Sequence, residues 1–395
     1  MAILKQGLHK HRERKDKRQI LSTINDIGIL QLDTINVVER SHYLVMFSRL
    51  GNYDQRAMDS LLYPDKKVFE QWAHAVSILP ISDYPYIMSV SNMPNERLSR
   101  YLAWFYKNVK NPDALLKRVE MRIRKEGPLA SRHFEDPNHK SRAWWDWKPS
   151  KDAIQILYLG GTLMVEKRVG FQRYYNLTER VLPKQISKIK KTQTETKEWF
   201  VLKALSCMGI GTARQVADYY RRSNGETKEI IERLLASGKI TKINVNGWKT
   251  PAFIRKKDLQ MLDEVEKGKH EARLTTFLSP FDNLIWDRDR TRLLFDFHYR
   301  ISVYDSVKKG NRPGYYVMPI LHKGQLVGRI DPKADRKNKT LIIHSIHLEP
   351  GVKATKALAR GIGTALHEFM LFNKCERLVI EKSNNNGLLK QLNQN

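Results

Sequence analysis

Between residues 106 and 254 one order of elements can be read twice, and that repetition limits the folds open to the chain. Asn111-Pro112-Asp113 predicts a helix start, because Pro has no N–H to lose in a first turn and an acid there faces the positive end of the helix dipole. This helix runs to Lys125 and stops at Gly127-Pro128. A second, short helix reaches Phe134, an aromatic linker runs from Trp144 to Pro149, and a third helix covers Ser150 to Tyr158. Thr162 to Lys167 and Gln172 to Leu177 then read as two strands around Arg168-Val169-Gly170. After a linker from Pro183 to Thr196 the order returns: a helix from Lys197 to Met208, a second capped by Thr212 and ending at Tyr220, and a third from Thr227 to Ser237. Ile240 to Val245 and Lys249 to Ile254 are strands joined at Asn246-Gly247, a dipeptide suited to the positive φ of a tight hairpin turn. Three helices followed by a two-stranded ribbon make a winged helix, a helix-turn-helix variant.

Upstream, Asp16 to Ile27 sets Ile20, Leu21, Ile24 and Ile27 at helical spacing, and Gly28 closes the helix. Ile29 to Ile35 is β-prone and predicts a short strand, with Gln31 and Asp33 on one face and Leu30 and Leu32 on the other. An amide and a carboxylate side by side on a rigid element suit electrostatic or acid-base work. The competing reading is that Asp33 opens an Asx turn and Gln31 sits on a solvated edge. His42 to Leu50 reads as a helix ended by Gly51, and this N-terminal segment is a candidate third unit with a less obvious ribbon. From Leu274 the pattern changes. Leu293-Phe295-Phe297-Tyr299-Ile301-Val303 alternates strictly, as do Tyr315-Val317-Pro319 and Leu326-Gly328-Ile330, and Leu341 to His347 is another strand. Strands at short spacing with Gly turns predict a small barrel or curled sheet, against which a helix from Lys353 to Phe372 packs.

The partner follows from charge. Lys and Arg number 70 against 42 Asp and Glu in 395 residues, a formal net charge of +28. Each phosphate neutralised by such a surface releases condensed counterions, so nucleic acid is the first candidate. Residues 1 to 18 form a basic arm, either a solvated face or a route to backbone phosphates. An anionic membrane is the weaker alternative, since no strongly apolar amphipathic anchor stands out and the least charged stretch, Ala153 to Val165, is too short to span a bilayer. Met1 to Leu8 does not read as a signal peptide, which predicts a cytoplasmic, nucleoid-associated protein.

Chemistry is then narrowed by the motifs. Cys207 and Cys375 are too few for a disulfide framework or a Cys-rich metal site. Gly209-Ile210-Gly211 and Gly361-Ile362-Gly363 lack the third glycine and the preceding strand of a dinucleotide loop, and read as helix boundaries. With no phosphate-binding loop and no zinc spacing, neither cofactor nor metal is expected. His74 in Trp72-Ala73-His74-Ala75 reads either as a core histidine or as an acid-base group, and Trp286-Asp287-Arg288-Asp289-Arg290 either as a self-neutralising surface or as a phosphate contact.

These stretches together resemble the interstrand-crosslink DNA glycosylases of the YcaQ/AlkZ type. The resemblance rests on Gln31-Leu32-Asp33-Thr34-Ile35-Asn36-Val37-Val38, on Tyr43-Leu44 with Phe47-Ser48-Arg49-Leu50-Gly51, and on Trp72-Ala73-His74. It continues in Ser279-Pro280-Phe281-Asp282, Trp286-Asp287-Arg288, Phe295-Asp296-Phe297, Gly314-Tyr315-Tyr316-Val317 and Leu326-Val327-Gly328-Arg329, spanning about residues 20 to 375. It implies an α+β fold of three tandem winged-helix units followed by a C-terminal β-barrel-like domain, here divided 1–105, 106–192, 193–272 and 273–395. The family signature of Gln, an apolar residue, then Gln or Asp falls on Gln31 to Asp33 in its Asp form. Ala75 and Ser302 stand where the YcaQ branch carries Glu.

The expectation is a monofunctional glycosylase acting as a monomer on double-stranded DNA with alkylated or crosslinked bases. Gln31 and Asp33 are its catalytic candidates, Asn36 and His74 its supporting ones. Arg40, Arg49, Arg168, Arg173, Arg288, Arg300, Arg329 and Lys333 are its candidate DNA contacts. A non-catalytic winged-helix regulator would explain the charge and the winged units equally well, but not the paired Gln and Asp.

Overall fold

A computed structural model describes residues 1–91, 96–134, 149–301 and 314–392. The chain is mixed α+β, and it divides into two compact units: Met1–Met58 with His74–Val76 and Val201–Asn395, and Asp59–Ala73 with Ser77–Phe200.

In the second unit, helix Pro112–Glu126, a 3-10 turn Ser131–Phe134 and helix Pro149–Leu159 precede a hairpin of Leu163–Val169 with Gln172–Leu177. The order and nearly all the bounds are those predicted, because Pro112, Gly127-Pro128 and the turn at Gly170 punctuate the chain so clearly. The aromatic linker from Trp144 falls mostly outside the described residues. Val119, Ile123, Ala153, Tyr158, Leu163 and Leu177 form the core, and backbone bonds between Leu129 and Tyr175 tie the ribbon to the helices. Hairpin strands Val68–Trp72 and Val76–Pro80 lie earlier in the chain.

The same order recurs as helices Gln193–Met208, Ala213–Tyr219 and Asn224–Ala236, then hairpin strands Ile240–Ile243 and Ala252–Arg255. Thr212 closes a full capping box with Gln215, as its position before an apolar run implies.

Five strands, Thr275–Phe277, Met318–His322, Gln325–Asp335, Thr340–Leu348 and Arg377–Ile380, make one sheet in the order first, second, third, fourth, fifth. Its pairings are antiparallel except the last, which is parallel, and bulges at Asp331/Pro332 and Leu326/Gly328 bend the long third strand. The described strands therefore form a curled open sheet, and no pairing closes them into a barrel. Gly328 is required where it stands, since a Cβ there would lie 2.3 Å from the His347 carbonyl oxygen. Helix Lys356–Phe372 presents Phe369 to Phe277 and, with Phe372, to Phe47 of helix Ser41–Leu50.

One expected strand is a helix. The alternation from Leu293 predicts extended chain, yet Arg288–Phe295 is helical, with Asp287 capping it through Arg290 N–H at 3.1 Å and Asp296 ending it at φ +49°. The cap and the polar run Arg288 to Arg292 outweigh the two-residue periodicity. Alternation does govern Phe297 and Tyr299, both buried, on either side of exposed His298, although they lie outside any ladder. Val303 lies outside the described residues. The strand Arg377–Ile380 and the helix Asn386–Leu392 have no counterpart in the sequence reading.

Candidate active site

The segment from Ile27 to Arg40 is fixed from three directions. Helix Lys17–Ile27 delivers it, with Asp16 capping the first turn through Gln19 N–H at 2.9 Å. At Gly28 the backbone takes φ +69°, and a Cβ there would meet Cys207 Sγ at 2.8 Å and the Tyr220 hydroxyl at 2.9 Å, so glycine alone fits. Asn283, buried in the loop after Thr275–Phe277, donates from Nδ2 to Ile29 O at 2.8 Å and to the Tyr219 hydroxyl at 3.0 Å, while Tyr219 donates to Ile27 O at 2.6 Å. Leu30 and Leu32 are buried; Leu32 N–H donates to Val76 O at 2.8 Å, and Ser41 Oγ donates to Gln31 O at 2.7 Å. The backbone on both sides of Gln31 is thus held.

The strand is shorter than predicted. It ends at Gln31 after two residues, because Asp33 turns the chain: Ile35 N–H donates to Asp33 Oδ1 at 2.8 Å, an Asx turn. The turn reading therefore accounts for one carboxylate oxygen. It leaves unexplained that Asp33, half-buried in a protein of net charge +28, forms no ion pair among the described residues. Burial raises its pKa above the ordinary carboxylate value, against the pull of the Ile35 and Thr34 N–H groups, and its charge also acts on the buried Tyr316 phenol. The Gln31 amide, also half-buried, has no hydrogen-bond partner among the described residues. An amide and a carboxylate with unused capacity thus stand two residues apart on held backbone.

Asn36, expected in a supporting role, is exposed and takes a different part. Arg336, just past strand Gln325–Asp335, donates to Asn36 Oδ1 at 2.8 Å, to Asn36 O at 3.3 Å and to Val38 O, and Ala334 N–H donates to Val37 O at 3.0 Å. The far end of the Asp33 loop is strapped to the curled sheet. Nothing in the charged run Lys333 to Lys339 singles out Arg336 beforehand.

Of the two readings open to His74, its surroundings are those of a fixed, buried ring. Its ring stacks on Trp286 at 4.0 Å and 6°, Nδ1 lies 3.2 Å from Asp218 O, and Nε2 lies 2.9 Å from Arg221 Nη2. Since a guanidinium only donates and a carbonyl only accepts, the proton sits on Nδ1. Burial first, and then the Arg221 charge, lower its pKa to about 4. Both nitrogens are occupied, and the ring is neutral at physiological pH. Ala75 follows it, half-buried, and Ser302 lies outside the described residues.

Most of the expected DNA contacts are engaged inside the protein. Arg49 is the plainest correction: it is wholly buried, with donors directed at Asp282, Gln6, Val45 O and Ser48, so it cannot reach a phosphate. In the second unit Arg168 grips buried Glu70 with two bonds at 2.7 and 2.6 Å, and Arg173 approaches the same carboxylate at 3.4 Å. Arg288 donates to Ile285 O and Pro280 O and lies over Tyr299, while Arg329 forks onto Glu349 and covers Phe297. Arg40 is half-buried before helix Ser41–Leu50; Arg300 and Lys333 are exposed.

The Asx turn at Asp33, the strap from the curled sheet to Asn36 and Val38, and the helix-and-hairpin order that occurs twice are the features set against known proteins. A family profile described as "DNA glycosylase AlkZ-like" matches residues 24–372, and the chain belongs to that family of DNA repair glycosylases. The solved structure of Streptomyces sahachiroi DNA glycosylase AlkZ is similar in fold, with a TM-score of 0.62 at 13% identity over 96% of this chain and 97% of that one. No helix among the described residues is long and apolar enough to cross a membrane.

Proposed function

We propose that this glycosylase is monofunctional and hydrolyses the N-glycosidic bond of N7-alkylated purines in duplex DNA, including those joined in interstrand crosslinks. What carries this reading is the half-buried Asp33 carboxylate, without an ion pair among the described residues, two residues from a Gln31 amide that has no partner among them either. Alkylation at N7 makes the base cationic, so it departs with the electron pair of its C1′ bond without prior protonation. The remaining difficulty is the positive charge that develops on the sugar. A carboxylate beside that charge stabilises it and takes a proton from the water that adds to C1′. Gln31, able to donate and accept, orients the water or the lesion. Glycoside hydrolysis commonly uses two carboxylates, but a leaving group already charged needs only one, which suits a chain with Ala75 and Ser302. Bulky adducts fit a shallow site better than a deep base-flipping pocket.

In this reading the chain carries three winged-helix units, the first within residues 1–105, ahead of the C-terminal sheet, and acts on the duplex as a monomer. Incubation with a duplex carrying N7-methylguanine should release free base and leave abasic sites. Activity should persist in chelator, and borohydride should trap no protein–DNA adduct. Failure to release any of several N7-alkyl purines would remove the substrate assignment, and trapping at a lysine would replace hydrolysis by an imine route.

A further inference from the structure

With five of the eight expected contacts engaged internally, other cations must share the grip on DNA. A cleft of about 530 Å³ opens in the first unit where helix Gln193–Met208, the turn after helix Asn224–Ala236 and the end of strand Ala252–Arg255 converge; Leu202, Lys239, Arg255, Lys256 and Lys257 line it. The ladder sets the charges together: Lys256 N–H donates to Lys239 O at 3.0 Å, one step beyond the Ile240–Arg255 pair. Lys239, Lys256 and Lys257 are exposed, and the latter two form no ion pair among the described residues. Arg255 is answered from behind by Asp258, at 2.6 and 3.0 Å, which Lys5 shares at 2.7 Å. No carboxylate lines the cleft.

We propose that this cleft seats the phosphate backbone of duplex DNA, through Lys239, Lys256 and Lys257. Positive charge concentrated around an open concavity attracts an anion, and phosphodiesters supply negative charge at regular spacing. No aromatic or amide side chain lines the cleft to stack on a base or read its edge, so the contact is to phosphate and is blind to sequence. The proposal rests on duplex DNA being the substrate, and it adds the surface that positions it.

The test compares full-length wild type with Lys239→Gln/Lys256→Gln/Lys257→Gln and with a charge-matched control, Lys374→Gln/Lys382→Gln/Lys390→Gln, on an undamaged duplex. The slope of log affinity against log salt should fall by about 2 to 3 in the cleft variant, at roughly 0.9 per lost phosphate contact, with an unchanged melting temperature and little change in the control. An unchanged slope, or an equal fall in the control, would overturn the proposal. So would loss of inorganic tripolyphosphate binding with the DNA slope intact, which would make the cleft a small-anion site. The two readings fail separately: a wild type that binds DNA through the cleft but releases no N7-alkyl purine removes the substrate assignment alone, and an active wild type whose cleft variant keeps the full slope removes the cleft alone.

Discussion

Arg49 and Asp282 form a forked ion pair closed to water, Nη1 to Oδ2 at 2.7 Å and Nη2 to Oδ1 at 3.0 Å, with neither side chain exposed. Arg49 lies in the last turn of the helix that follows the Asp33 loop, and Asp282 adjoins Asn283, which holds Ile29 O. The pair therefore joins two elements that fix the candidate catalytic segment. Removing one partner leaves a buried charge unanswered, so Asp282→Asn should lower unfolding free energy by about 3 to 5 kcal/mol. Arg49→Lys should also destabilise, because a lysine cannot reproduce the fork. Urea denaturation measures both; a loss below about 1 kcal/mol in Asp282→Asn would mean that water relieves the arginine.

His74 makes stability depend on acid. Its pKa is about 4 in the folded chain against about 6.5 unfolded, so the unfolded state binds the extra proton first. Stability contributed by the neutral ring is complete above about pH 6.5 and declines as pH falls toward 4, by about 3 kcal/mol in all. Denaturation at pH 7 and pH 4.5 should show this decline in wild type and a smaller one in His74→Gln. Equal declines would place the acid sensitivity in other groups.

Legibility in the sequence followed the strength of local punctuation. Pro112, Gly127-Pro128 and Thr212 mark helix ends by backbone chemistry, and the predicted elements there match the observed ones closely. Leu293 to Phe295 misled because alternation is only a surface pattern, and the Asp287 cap carries a helix through those residues. Gln31 and Asp33 were visible as a pair, but their expected strand stops at Gln31 because the Asp33 side chain captures Ile35 N–H. The arginines were the least legible. Their charge is plain in sequence, whereas Glu70, Asp282 and Glu349, which hold four of them, come from 20 to more than 200 residues away.

Arg336 tests whether the far end of the loop matters. Arg336→Ala removes the bonds to Asn36 and Val38 at an exposed position, so folding should survive. If the strap positions Asp33, single-turnover excision at saturating protein should drop roughly tenfold, the scale of a misplaced catalytic group. Arg336→Lys should restore part of that rate, and Asn36→Ala should add little to Arg336→Ala. Equal excision by wild type and Arg336→Ala would leave the strap without a catalytic role.

Asp33→Asn separates charge from geometry at the centre of the site. Asn keeps an Oδ1 to accept from Ile35 N–H, so the Asx turn, the loop and undamaged-DNA binding should survive, with a melting temperature near that of wild type. What disappears is the negative charge. If that charge stabilises the developing positive sugar or activates water, single-turnover excision of N7-methylguanine should fall roughly a hundredfold or more. The acid limb supplies a second sign. Burial raises the Asp33 pKa, so wild-type excision should be lost as pH falls through a value above the ordinary aspartate figure of about 3.9. The residual rate of Asp33→Asn should show no such limb. Gln31→Ala should cost less than Asp33→Asn, since neighbouring groups can still hold the water it orients. Wild-type excision by a stably folded Asp33→Asn would reduce Asp33 to a turn residue, and loss of excision together with the melting transition would make it structural.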